Sequence, residues 1–395
     1  MKKLWDKGYA INKEIDCFTV GNDYELDTIL LPYDCRASIA HVKMLAKINI
    51  LTHTEAKKIE KELERIIVLH KNKKITVKQE DEDCHTTIEK YLIKHLGNLG
   101  KKVHTFRSRN DQVLTALRLY YKDEITIIIY LIHSFIESLE SVKKKYGRIA
   151  FPGFTHTRKA MPSSIALWMD AFIDSMKDNQ RLVDVLLDLI DQSPLGTGAG
   201  FGFSEKIDRV YTAKLLGFKR VQKNPIYAQI SRGKFESSIV HMLTQIMFDL
   251  NKLATELILF SIPEFGFVIL PREFTTGSSI MPHKQNPDAL ELIRAYYHDV
   301  LAQEFKIKTL TSNLIGGYHR DLQLTKEPTM HGFMITKQCL SISSLIINNL
   351  SIDKEKCRAA LTQELYTTSD AYALVKKGMS FRDAYQTIGK KYTKG

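Results

Sequence analysis

The sequence predicts a mainly α-helical protein built around a bundle of long helices. Three observations carry this expectation. From Phe235 onward, apolar residues fall at Ile239, Met242, Leu243, Ile246, Met247, Leu250, Leu253, Ala254 and Leu257. That is the three-and-four spacing of a helix, sustained beyond the length of an ordinary globular one. Val113 to Tyr146 reads as a second long helix, closed by Lys143, Lys144 and Lys145 and then Gly147; cations and glycine both suit a helix C-terminus. Period-two alternation, the mark of a strand, is rare and short.

Two further helices complete the bundle. Pro162 stands where a third could begin, running through Trp168, Phe172 and Met176 to about Ile190, since proline suits a first helical turn. Pro287 can open a fourth, carrying Leu290, Ile293 and Ala295 towards Leu301. The helix from Phe235 has no narrow apolar stripe, because Val240, Phe248 and Ile258 widen it. Such a helix is buried on most sides, within one large monomer or against copies of itself. A smaller N-terminal helical domain over residues 1–105 is expected before a central bundle over 106–350. A C-terminal helical domain over 351–395 follows.

Composition narrows the classes. With 395 residues and 44% hydrophobic content, the chain can bury a substantial core and is not disordered. It opens Met1-Lys2-Lys3-Leu4-Trp5-Asp6 with no apolar stretch behind the lysines, so no signal peptide is expected. The most apolar run, Ile125 to Ile136, is broken by Thr126 and His133. It falls short of the ~20 residues a membrane span needs. Five widely spaced cysteines without a Cys-x-x-Cys pair fit reduced thiols in the cytoplasm and argue against a cysteine-rich metal site. The net charge of +12 suits either nucleic acid or a polycarboxylate ligand. The lysines are scattered, with no basic stripe interleaved with aromatics, so no nucleic-acid partner is expected.

Between the helices lie short polar segments that carry the chemistry. In Gly277-Ser278-Ser279-Ile280-Met281-Pro282-His283-Lys284-Gln285-Asn286-Pro287-Asp288, two serines follow a glycine and a lysine comes soon after. A serine hydroxyl becomes a useful base or nucleophile only when its anion is stabilised, which Lys284 and loop amides can supply. A solvated loop ahead of a proline-started helix explains the same residues. Ser108-Arg109-Asn110 offers a hydroxyl, a guanidinium and an amide suited to a carboxylate. Asn110 or Asp111 can equally cap the helix before Val113. Thr155-His156 brings a donor and a titratable imidazole, though a lone histidine is often structural. Glu291, one turn beyond Pro287, can orient that imidazole or simply favour a first turn. Asp83 and His85 can be a capping pair before a helix from Thr87 to His95, and no spaced His or Cys partners give His85 a metal-binding pattern.

These segments together resemble known enzymes. Gly277 to Pro287 is similar to the signature of the fumarase/aspartase superfamily. His104-Thr105-Phe106-Arg107-Ser108-Arg109-Asn110-Asp111-Gln112, Asp81-Glu82-Asp83-Cys84-His85, Pro152-Gly153-Phe154-Thr155-His156, Ser193 to Ala199 and Gly317-Tyr318-His319-Arg320-Asp321-Leu322-Gln323 resemble segments of argininosuccinate lyases within it. The wording Met281-Pro282-His283-Lys284 leans towards adenylosuccinate lyase, and lens crystallins keep this fold without needing activity. The resemblance implies a fumarase/aspartase-like bundle, a homotetramer whose sites form where segments of three subunits meet, and a cofactor-free elimination that releases fumarate.

It also assigns roles. Ser278 matches the base, with Ser279 as its neighbouring alternative. His156, backed by Glu291, matches the acid or proton relay. Lys284 and Asn286 match groups that stabilise the charged intermediate. Ser108, Arg109, Asn110, Thr155, Tyr318, Gln323 and Lys326 match substrate contacts, as do Asp83 and His85. The chain departs from the family pattern at Phe106, where glycine is usual, and at Gln285, where a second lysine is common. It departs again at Ser231-Arg232-Gly233-Lys234-Phe235, which replaces a Ser-Asp-Arg-Asp-Phe type of segment associated with the amino-acid end of the substrate. Gly21 to Asp27 differs from the common Asn-Ala-Ser form. The chain also ends sooner after Phe381-Arg382-Asp383-Ala384-Tyr385 than the family leads one to expect.

Overall fold

A computed structural model describes residues 11–392. The opening Met1 to Asp6, on which the expectation of no signal peptide rests, lies outside them. Long helices dominate: Asp23–Lys47, Arg109–Tyr146, Ile165–Ile190, Lys234–Ser261, Asp288–Thr311 and Lys326–Asn349. The strands described form three two-stranded sheets. The chain divides into two compact units. One takes the residues up to Ile127 with Val183–Met242 and Leu301–Phe333; the other takes Ile128–Leu182, Leu243–Val300 and the residues from Met334.

Where the helices begin differs from the sequence expectation, for local reasons. The second long helix starts at Arg109 rather than Val113. Ser108 closes its end reciprocally: its Oγ accepts the Asn110 N–H at 3.2 Å, and the Asp111 carboxylate accepts the Ser108 N–H at 3.0 Å. This is a variant of the capping box, with aspartate in place of glutamate and the second helical N–H, not the third, bonded to the serine. The third helix starts at Ile165, not Pro162. Pro162 lies in a strand, Arg158–Ser164, opposite Pro152 of Ala150–Thr155. Neither proline has an N–H to give, so their pairing falls where an antiparallel ladder needs none. Ser164 then caps the helix, accepting the Leu167 N–H at 3.1 Å. The fourth helix opens at Asp288, directly after Pro287, and runs on to Thr311. The short helix expected from Thr87 begins at Cys84, with Asp83 accepting the Thr86 N–H at 2.8 Å.

In the first unit, Asp23–Lys47 packs with His53–Lys71 and Cys84–Leu96, the middle helix opened by a capping box between Thr52 and Glu55. Ala37, Ala40, Leu119, Leu195, Ala213, Leu216 and Phe218 form one core cluster there. In the second unit, Phe151, Trp168, Phe260 and Phe267 meet in tilted and edge-on ring contacts, holding the base of the 150–164 hairpin. A small cluster of Ala371, Ala384 and Ile388 joins the last two helices. Arg109–Tyr146 is long and apolar enough to cross a membrane by length and composition. Its residues Ile125, Ile128, Ile132, Phe135 and Leu139 are nevertheless buried at helical spacing in the protein, which is the pattern of a core helix.

Candidate active site

In the first unit, helix ends and a turn converge on a cavity of about 140 Å³. Asp83, His85, Arg109, Asn110, Tyr318, Gln323 and Lys326 all line it, together with Asp23, Asp27, Glu82, Arg232 and Arg320. Ser108 is not among the lining residues, because its hydroxyl is spent on the helix end. Asp23 and Asp27 stand one turn apart at the start of Asp23–Lys47, so both carboxylates share a face.

The cavity is held by buried ion pairs. The Lys326 ammonium donates to Asp23 at 2.8 Å and to Asp27 at 2.6 Å. Burial alone would lower its pKa, but Asp27 and Asp23 overcome this and hold it above the usual lysine range. Burial raises the Asp23 carboxyl against the pull of Lys326, whereas for Asp27 the nearby Lys326 and His85 outweigh burial and lower it. His85 pairs through Nδ1 with Asp34 at 2.8 Å. Burial would lower its pKa, yet Asp34 raises it, while Asp34 itself is lowered. The Asp34 carboxylate therefore favours the protonated imidazole of His85, and the helix cap is Asp83 rather than His85. Arg109 reaches Asp83 at 3.1 Å and Thr86 at 3.0 Å. The Gln323 amide donates to the carbonyls of Thr19 and Val20, both at 3.3 Å. Asp27, Cys84 and His85 offer atoms within 4.8 Å of one another. Lys326 and Asp34 already engage the aspartate and the histidine there, so these potential metal ligands are committed to ion pairs.

In the second unit, Thr155 and His156 occupy the exposed tip of the 150–164 hairpin. His156 and Thr157 both have positive φ, 51° and 58°. Their signs match the turn that joins twisted strands in two residues, a turn that usually takes asparagine and glycine. A histidine and a β-branched threonine are costly there, the kind of strain that proteins keep at working sites. The serine segment forms an exposed loop, closed at its base where Thr276 and Asn286 exchange backbone hydrogen bonds of 3.0 and 2.8 Å. The Thr276 hydroxyl bonds Asp288 beside it. Within the loop, the N–H groups of Ile280 and Met281 point at Ser278 Oγ, at 3.4 and 3.2 Å. Lys284 is exposed, as is Glu291 in the first turn of Asp288–Thr311. Lys284 lines a cleft of about 760 Å³ with His283 and Lys356.

Two donors converging on one hydroxyl oxygen favour its deprotonated form, and buried ion pairs around a cavity suit a charged ligand. A model of the lyase family matches residues 18–301. An argininosuccinate lyase of Thermotoga neapolitana is 52% identical over 99% of this chain and 98% of its own length. The chain belongs to the argininosuccinate lyase family. A member from Sorangium cellulosum is 40% identical over 98% of this chain and 90% of its own. The fold matches solved structures of an EDDS lyase in complex with formate (TM-score 0.80, 23% identity, 94% of this chain and 74% of that one) and of a class II fumarase from Schistosoma mansoni (TM-score 0.80, 15% identity, 96% and 89%).

Phe106, at the position where the family pattern has glycine, has φ of 56°, the left-handed region that favours glycine. Removing the ring in both Phe106→Ala and Phe106→Gly isolates the Cβ. The glycine variant should be the more stable of the two by about 1 kcal/mol, the left-handed penalty less glycine's entropy. Urea unfolding of the pair measures this; equal stabilities would show that the loop relaxes away from that φ. Sequence reasoning did not name Asp23, Asp27 and Arg320 as site residues, and it treated Arg232 only as a departure. The four-residue spacing of Asp23 and Asp27 was the available signal.

Proposed function

We propose that the chain catalyses the reversible elimination of argininosuccinate to arginine and fumarate, as in arginine biosynthesis. The observation that carries this reading is the Ser278 hydroxyl facing the amides of Ile280 and Met281 in a loop that also presents Lys284. As base, Ser278 takes the proton from the succinyl carbon beside a carboxylate. The electron pair enters that carboxylate, giving a doubly charged species for which fixed N–H donors and cations are the main catalytic resource. Return of the pair forms the carbon–carbon double bond and breaks the C–N bond. Fumarate leaves, and the guanidino nitrogen recovers a proton. His156, oriented by Glu291, is the acid or relay. Lys284 and Asn286 hold the developing charge. Arg109, Asn110, Thr155, Tyr318, Gln323 and Lys326 contact substrate, with Asp83 and His85 supporting them, while Ser108 acts only by closing the helix end that presents Arg109 and Asn110. The reaction calls for no cofactor or metal.

The first test is fumarate absorbance with purified protein. Argininosuccinate should release fumarate and adenylosuccinate should not. The opposite preference would move the chain to another succinyl lyase, and inactivity on both would favour a structural, crystallin-like role. We also propose a cytoplasmic homotetramer with no nucleic-acid or membrane partner. A cavity of about 140 Å³ is smaller than the ~300–1,000 Å³ typical of a ligand site, as expected where other subunits complete it. Large apolar side chains also stay exposed along the long helices, including Tyr130, Leu167, Val185 and Phe305 at 64–71%. Light scattering should give four times the monomer mass; a fully active monomer would end the proposal.

A further inference from the structure

Glu82 lies between the short turn Gln79–Asp81 and the helix Cys84–Leu96. Its backbone has φ of 67° and ψ of −49°, and across it the Asp83 N–H donates to the Asp81 carbonyl at 2.8 Å. This is a γ-turn of the rarer, hindered hand, with Glu82 at its centre. Such a φ is costly for any residue with a Cβ and free only to glycine. The strain cannot relax easily, because both flanks are fixed. Asp81 accepts the Lys90 ammonium at 2.5 Å and the Thr87 hydroxyl at 3.2 Å. Asp83 accepts the N–H and the hydroxyl of Thr86, each at 2.8 Å, and the Cys84 N–H donates to Asp27 at 3.0 Å.

The effect of the turn is felt at its side chain. Glu82 lines the cavity of the first unit, and its carboxylate accepts from Arg109 Nη1 at 3.4 Å. Asp83 accepts from the same nitrogen at 3.1 Å, and the Thr86 hydroxyl accepts from Nη2 at 3.0 Å. Neighbouring side chains of a strand point to opposite faces, whereas the reversal at Glu82 brings two consecutive carboxylates onto one guanidinium atom. Arg109 keeps 30% of its side chain exposed, so its head is held and still open to a ligand in the cavity. A long, free arginine loses much rotamer freedom when it binds a carboxylate, and one fixed beforehand avoids that loss.

We propose that Glu82 is a positioning residue, and that its strained turn is kept because it fixes the Arg109 guanidinium for a substrate carboxylate. The inference rests on the reading of Arg109 as a carboxylate contact, and the test separates the two. Glu82→Ala should raise the KM for argininosuccinate about 10-fold, the low end for a lost charged hydrogen bond, with kcat held within a few-fold. Glu82→Gly should raise it equally, yet unfold at a higher urea concentration than Glu82→Ala, because glycine relieves the turn. Glu82→Gln keeps the shape and an acceptor oxygen, so it should restore part of the affinity. Added to Arg109→Met, Glu82→Ala should cost nothing further, since Glu82 acts through the arginine.

An unchanged KM in folded Glu82→Ala would overturn the assignment. So would a second full loss on top of Arg109→Met, which would make Glu82 a direct contact for a substrate cation. A glycine variant no more stable than the alanine one would overturn it too, by showing that the turn stores no strain. If the wild type neither makes nor splits argininosuccinate, the proposed reaction fails, and calorimetry with succinate decides the positioning by itself. Succinate bound about 10-fold more tightly by wild type than by Glu82→Ala supports it. Equal binding, or none by either protein, rejects it.

Discussion

Ser278→Ala should lower turnover of argininosuccinate by about 10³-fold, within the range by which a positioned acid or base acts, while binding and fold persist. The substitution removes one oxygen from an exposed loop. That loop stays closed at its base by the Thr276–Asn286 pair, so its stability cost should be under about 0.5 kcal/mol. Substrate affinity should survive, because the proposed carboxylate contacts lie on other residues. What is lost is the hydroxyl whose anion the Ile280 and Met281 amides are placed to favour. The same two hydrogen bonds also occur in an ordinary serine turn, so kinetics must decide. Calorimetry for affinity and absorbance for fumarate should be run on Ser278→Ala, Ser279→Ala and His156→Asn together. His156→Asn should retain some activity if the imidazole only relays a proton. An active Ser278→Ala beside an inactive Ser279→Ala would transfer the base to the neighbouring serine.

The helical architecture was legible because long apolar periodicity survives any detail of packing. Ile239 to Leu257 announced a buried helix, and Lys234–Ser261 is one. Helix starts were less legible, since they depend on hydrogen bonds that periodicity does not encode. Pro162 looked like a first-turn residue, yet two prolines facing each other made it a strand residue and passed the cap to Ser164. Asp111 looked like a cap, yet it is buried and accepts the N–H groups of Gly196 and Gly198 as well as that of Ser108. Burial raises its pKa to about 6 against those donors.

For the candidate site, short polar segments showed which residues carry chemistry but not what neutralises them. Lys326 was readable as a cation. That two aspartates some 300 positions earlier hold it, as a pair on one helical face, required the fold. The same holds for Asp34, whose buried carboxylate fixes His85. Arg232 was legible as a departure from a family pattern, but its burial with a free nitrogen was not. Side-chain satisfaction is a property of the assembled surroundings, and a residue's own neighbours in sequence say little about it.

That dependence gives the largest expected effect on stability. Lys326→Met should destabilise the protein by about 3–5 kcal/mol at neutral pH, the cost of leaving buried charge without its partner. The methylenes are largely retained, so the loss is electrostatic. Asp27 is fully buried and Asp23 nearly so, and neither can turn to water. The pH dependence has a definite sign. In the wild type Asp27 has a lowered pKa, so its contribution is present above the ordinary aspartate pKa and is lost as pH falls through the folded value. In Lys326→Met both carboxyls lose their cation and rise in pKa. The variant then gains stability relative to its own neutral value as pH falls and they take up protons. The two curves should converge towards about pH 4, with the widest gap near pH 7. Adding Asp27→Asn to Lys326→Met should recover part of the loss, because replacing a whole buried pair costs less than breaking one. Urea unfolding of wild type, single and double variants across pH 4–8 measures all three statements. A gap that stays constant with pH, or a double variant weaker than the single, would show that Lys326 stabilises by packing rather than by charge.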